Sequence, residues 1–155
     1  MLKRQIAHLI LCACLFGLPA CQAGGGGQGF DPASSKPSAT LENTRWKLLE
    51  VGGKPAVVHP HAPEASITLM VAEHRVQGSS GCNNLMGGYE LDGDRLKFGQ
   101  VAMTRKACIG PLGDQEMAFT QAINQTARWE IQGETLQLLD DKGATLARFE
   151  ALYLR

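Results

Sequence analysis

The chain lacks an excess of charge of either sign: its 155 residues carry 15 Lys and Arg against 15 Asp and Glu. The first twenty residues hold Lys3 and Arg4 and no acidic residue, which leaves 15 − 2 = 13 basic against 15 acidic side chains, a net of −2. Phosphate backbones demand a concentrated basic patch, and none is visible, so no nucleic-acid partner is expected. No apolar run is long enough for a comfortable membrane span of about 20 residues. Cys-x-x-Cys spacing is missing, and Ser79 and Ser80 lack a Gly-x-Ser-x-Gly elbow. Asp140-Asp141-Lys142-Gly143 is too short a run for a calcium loop and reads as a hairpin turn. His59-Pro60-His61 and His74 have no carboxylate or thiol at ligand spacing, and the prolines 60 and 63 mark an irregular surface loop. These absences argue against catalytic residues, a metal and a cofactor. A non-enzymatic protein is expected.

What is present begins with a leader. Lys3 and Arg4 precede a run from Ile6 to Leu18 that is apolar apart from His8, followed by small residues. That is the layout of a secretory signal over residues 1–20. Leu18-Pro19-Ala20-Cys21 resembles the lipobox of bacterial lipoproteins, which implies lipid on Cys21 and a membrane partner through it. Gln22, not Asp, follows the cysteine, and in such lipoproteins this resembles the pattern sent to the outer membrane, with the domain facing the periplasm. The alternative is cleavage near Ala23 and a soluble periplasmic product. Residues 21–40 are rich in Gly, Pro and Ser, a composition that buries no core and reads as a flexible tether.

From residue 41 to 155 short alternating runs are separated by turn residues, the signature of antiparallel sheet. Trp46 and Leu48 share one face of a first strand, and Ile67, Leu69 and Val71 alternate in the next. Tyr89 and Leu91 meet Leu96 and Phe98 across Asp92-Gly93, and Trp129 and Ile131 meet Leu136 and Leu138 across Gln132-Gly133. The two stretches match position for position in residue type, so the same hairpin is expected twice, without any need for duplication. A last strand covers 145–153, giving roughly six to eight strands. Between Pro111 and Ala127 the apolar residues Leu112, Phe119, Ala122, Ile123 and Ala127 recur at helical spacing, with Asp114 and Glu116 near the start and Arg128 at the end. The fold class is therefore α+β: a small curled antiparallel sheet with one amphipathic helix packed against it.

The run Gly81-Cys82-Asn83-Asn84, then Gly87 and Tyr89, then Thr104-Arg105-Lys106-Ala107-Cys108 and Glu116, resembles the META domain family, also called HslJ-like. Trp46 and Gly53-Lys54-Pro55 match as well, so the resemblance covers nearly all of the chain after the tether. It implies a cracked barrel like that of secretion pilotins, and a protein associated with envelope or heat stress for which no enzymatic activity is defining. Glycines 78, 81, 87 and 88 suggest a sharply folded connection, tied down by Asn83 and Asn84. Cys82 and Cys108 are free to pair in an oxidising compartment; joining them would close 108 − 82 = 26 residues, worth roughly 3.5 kcal/mol. Two inert buried thiols, or a reactive thiol, remain the alternatives.

Three functions follow. The first is an accessory or binding lipoprotein, acting as a monomer on an envelope protein. The second is a carrier whose barrel encloses an apolar ligand lined by Trp46, Phe98, Phe119 and Trp129. The third is an inhibitor of a wall-degrading enzyme or protease, presenting the loop from residue 78 to 88.

Overall fold

A computed structural model describes residues 38–153; the expected signal at 1–20, Cys21 and the tether as far as residue 37 lie outside the described residues. Ten strands and one helix follow in order: β1 (Arg45–Val51), β2 (Lys54–Pro55), β3 (Ser66–Met70), β4 (Arg75–Ser79), β5 (Asn84–Asp92), β6 (Arg95–Phe98), β7 (Ala102–Met103), α1 (Pro111–Gln125), β8 (Arg128–Gln132), β9 (Thr135–Leu139) and β10 (Thr145–Leu152). Eight of the strands form a ring, β1-β3-β4-β5-β6-β8-β9-β10, which closes where β10 pairs antiparallel with β1. The two-residue strands β2 and β7 lie off the ring, on β1 and β5. The α+β expectation of a curled antiparallel sheet with one helix is met.

Both matched hairpins form, with Leu91 opposite Leu96 and Ile131 opposite Leu136. Their turns are Gly93-Asp94 and Gly133-Glu134, one residue later than the dipeptides first singled out. In each case the glycine takes the positive φ, 58° and 62°, that a two-residue hairpin asks of its first central residue. Val71 leaves the expected alternation: it opens a short 3-10 turn, Val71–Glu73, and is exposed. His74 follows in the left-handed region, and the chain reverses there into β4.

The seam between β6 and β8 is the weakest in the ring, with Arg95 opposite Arg128 as its one ladder pair. Two further bonds extend it, Leu96 N to Ala127 O at 3.1 Å and Trp129 N to Asp94 O at 3.0 Å. Arg128 does not serve the helix end, as its position suggested; it opens β8 and grips Asp94 Oδ2 through Nε at 3.0 Å and Nη2 at 2.6 Å. The helix enters the chain beside this gap. Pro111 sits in its first turn, where a missing N–H costs nothing, and Thr126 stops it by donating its hydroxyl to Ala122 O at 2.7 Å. Its buried stripe is Gln115, Phe119, Ala122 and Ile123, and the Phe119 ring meets Phe149 of β10 edge-on at 6.4 Å. Leu112 is only half-buried, and Ala127 lies beyond the helix.

Inside the ring, Trp46, Leu48, Ile67, Leu69, Val76, Leu96, Leu136, Leu138 and Phe149 are packed to exclude water, and Trp46 Nε1 donates to Leu41 O at 2.8 Å. A small barrel filled in this way stands on side-chain burial, with the polar end of its Trp46 satisfied. The four aromatics proposed to line a ligand cavity do not share one. Trp46 and Phe119 are 0% and 1% exposed and belong to the core, whereas Phe98 and Trp129 are half-buried around it. The physical reason is that large side chains, Trp46, Phe119 and Phe149 among them, occupy the interior that an eight-stranded barrel could otherwise offer to a small ligand.

Candidate functional site

The family-like residues converge where β4 turns into β5. The expected connection from 78 to 88 is in fact a turn of four residues, Ser80 to Asn83, because Gly78 lies in β4 and Asn84, Gly87 and Gly88 lie in β5. Gly81 alone of these glycines needs a positive φ, 96°. Gly87 serves close approach instead: a Cβ there would stand 2.8 Å from Gln100 O and 2.9 Å from Val101 Cγ2. The strand after β6 therefore folds back over Gly87 and delivers residues 101–108 to the turn.

Ser80 is wholly buried and organises the turn. Its hydroxyl donates to Glu116 Oε2 and accepts from Asn83 N at 3.0 Å and Cys82 N at 3.3 Å. The Asn83 side chain, 2% exposed, joins three segments. Its Oδ1 accepts from Thr104 Oγ1 at 2.7 Å and Lys106 N at 2.8 Å, and its Nδ2 donates to Glu116 Oε1 at 2.9 Å and Lys106 O at 3.2 Å. Sγ of Cys108 lies 3.1 Å from the same nitrogen. The Cys82 and Cys108 sulfurs meet in this structure, with Cα atoms 6.2 Å apart, within the usual span of a disulfide. Turn, extended segment and helix are thus held at one point by this sulfur contact and an amide with every polar atom occupied.

Of the residues singled out from sequence, Gly81, Cys82, Asn83, Thr104, Cys108 and Glu116 meet here. Asn84 contributes through its backbone, which receives the Thr104 N–H at 3.0 Å and donates to Thr104 Oγ1 at 3.1 Å. Tyr89 does not belong to this cluster; its hydroxyl binds Glu42 and Met70 O near the start of the domain, and its ring stands 5.8 Å from that of His74. Burial first, and Glu42 second, hold the Tyr89 hydroxyl well above its ordinary pKa of 10.0. His59 and His61 face each other on an exposed loop while His74 packs on Tyr89. Two contributors carry no motif in the sequence. Ser80 offers there only a hydroxyl without a nucleophile elbow, and Gln115 nothing, although Gln115 carries Ser80 O on Nε2 at 2.7 Å and Val57 N on Oε1 at 2.6 Å. Its signal was there: position 115 lies one turn before Phe119 on the buried stripe.

The sequence pattern of the META domain matches residues 39–153. The chain belongs to the META domain family. Among its relatives is the heat shock protein HslJ of Escherichia coli, 27% identical over 103 residues, which span 66% of this chain and 71% of HslJ. A protein from Burkholderia xenovorans solved by NMR is 31% identical and superposes with a TM-score of 0.58 over 74% of this chain and 85% of that one. A DUF4847 family protein from Bacteroides vulgatus shares the fold at 14% identity, with a TM-score of 0.51 over 74% of this chain and 96% of its own.

In this META domain the tied turn forms the wall of an open groove of about 670 Å³, lined by the run from Val101 to Ala107 with Asn83 and Glu116. Thr104 N binds Asn84 O, so the period of two along β7 turns the peptide groups of Met103 away from β5. Arg105 and Lys106 bring positive charge to the lining of the groove, and Glu116 a carboxylate. Among the described residues every buried side-chain nitrogen and oxygen has a partner. No described helix is long and apolar enough to cross a membrane.

Proposed function

We propose that this META domain is a non-enzymatic accessory protein of the bacterial envelope, held at the outer membrane by lipid on Cys21 and facing the periplasm, where it receives an extended segment of an envelope protein. The observation that carries the reading is the groove along residues 101–107, where the two-residue strand β7 and the segment after it are backed by the Cys82–Cys108 contact and the Asn83 side chain. Strand edges bind extended peptides through main-chain hydrogen bonds, and a pre-organised edge loses little entropy on binding. Arg105 and Lys106 favour a segment bearing acidic residues. The leader and the lipobox-like Leu18-Pro19-Ala20-Cys21 support the location. The carrier and inhibitor readings gain no comparable support: the barrel is filled, and the loop offered for inhibition is four residues long.

A photo-cross-linking residue placed at position 105 in cells tests the reading, with position 142, on the distant turn before β10, as control. One envelope protein captured from 105 and not from 142 is the expected result. No capture, or the same products from both positions, would remove the groove from the account.

A further inference from the structure

The disulfide has a carboxylate beside it, and their arrangement has a use that neither the fold nor the groove requires. Sγ of Cys82, Sγ of Cys108 and a carboxylate oxygen of Glu116 lie within 4.8 Å of one another, and all three residues are half-exposed. We infer that these three side chains form a redox-gated site for a thiolate-seeking divalent cation of the zinc class, closed as the disulfide and opened by its reduction.

In the bonded state the sulfurs are not thiolates and offer a cation little. A dithiol reductant changes this: its two S–H groups transfer two electrons and two protons to the Cys82–Cys108 bond, giving two cysteine thiols and the reductant's own disulfide. A bound cation then releases both thiol protons to solvent. Zinc–sulfur bonds of about 2.3 Å at the tetrahedral angle place two sulfurs roughly 3.8 Å apart, which side-chain rotation reaches from Cα atoms 6.2 Å apart.

The third ligand is already positioned. Asn83 Nδ2 holds Glu116 Oε1 at 2.9 Å, and the Ser80 hydroxyl holds Oε2. Each carboxylate oxygen keeps a lone pair after accepting one bond, so this pairing orients the ligand without consuming it, as outer partners do in metal sites. Charge favours a cation over a bare dithiol. Two thiolates beside a carboxylate repel one another, and a dication turns that repulsion into attraction. Cys108 and Glu116 also line a shallow depression with Lys106, Gly113, Asp114 and Met117, which gives a metal an approach path and a water the fourth position.

The test uses the full-length chain in detergent with Cys12, Cys14 and Cys21 changed to Ser, so that only the pair in question can supply thiolate. Cobalt(II) is added as a spectroscopic stand-in before and after reduction by a phosphine, and zinc is then added in competition. The inference expects thiolate-to-cobalt charge transfer at one equivalent in the reduced chain alone, displaced by zinc. Glu116→Gln should weaken binding at least tenfold, whereas Asp141→Asn, an exposed carboxylate on the turn before β10, should leave it within twofold. Circular dichroism accompanies each titration. Binding that is absent in the folded reduced chain, equal in the oxidised chain, or unchanged by Glu116→Gln overturns the inference, as does unfolding on reduction, because no pre-formed site then exists. The cross-linking result at position 105 does not depend on any of these outcomes.

Discussion

Removing the Asn83 side chain should cost far more than its size suggests. Asn83→Ala leaves Glu116 Oε1, the Thr104 hydroxyl, Lys106 N and Lys106 O each short of one partner. A hydrogen bond to a charged group contributes about 1.5–3 kcal/mol and a neutral one about 1 kcal/mol. Water entering from the groove replaces part of this for the half-exposed Glu116, so the expected loss is about 3 kcal/mol. For a domain of this size that lowers the midpoint of thermal unfolding by roughly 10 °C. Urea unfolding of the oxidised protein measures the free energy directly. Asn84→Ala is the matched control: its side chain is exposed and its bonds to Thr104 are made by the backbone, so the change should stay within about 0.5 kcal/mol. A loss below about 1 kcal/mol for Asn83→Ala, or equal losses for the two variants, would refute the view of Asn83 as the residue that joins three segments.

Breaking the disulfide in a Cys82→Ser/Cys108→Ser chain should lower stability by about 3.5 kcal/mol in urea, and by less than the sum when combined with Asn83→Ala, because the two share one point of attachment. Gly87→Ala should cost roughly 1–3 kcal/mol by crowding, since its Cβ would press on Gln100 O and Val101, whereas Gly53→Ala meets no atom within 4 Å and should be limited to the backbone cost of its φ of 74°. Tyr89 favours its protonated form more strongly folded than unfolded, so its contribution is complete below the ordinary pKa of 10.0 and is lost as pH rises above it. Stability should fall above that pH by up to about 1.4 kcal/mol per pH unit; Tyr89→Phe should remove that part of the slope, and urea midpoints that decline equally in both proteins would contradict the assignment.

The hairpins were readable because everything they need is local. Alternation places Tyr89 and Leu91 against Leu96 and Phe98, and Gly93 supplies the turn. The helix was readable from the spacing of Phe119, Ala122 and Ile123. Ring closure was not: β1 and β10 meet across about a hundred residues of chain, and an alternating strand carries no mark of its partner. The glycines misled in an instructive way. Gly87 and Gly88 were assigned to a turn on conformational grounds, but Gly87 is small because another segment crosses it, a requirement set by residues 100 and 101. Ser80 and Gln115 escaped notice because polar residues read as solvent-facing until the fold supplies their buried partners.

The proposed role requires above all that the chain reach an oxidising compartment on a lipid anchor, and mass spectrometry of the protein extracted from producing cells tests that directly. Expected is a chain that begins at an acylated Cys21, with the peptides containing Cys82 and Cys108 linked until reduced. A chain that retains Met1, with residue 21 unmodified and both later cysteines alkylated without reduction, would contradict it.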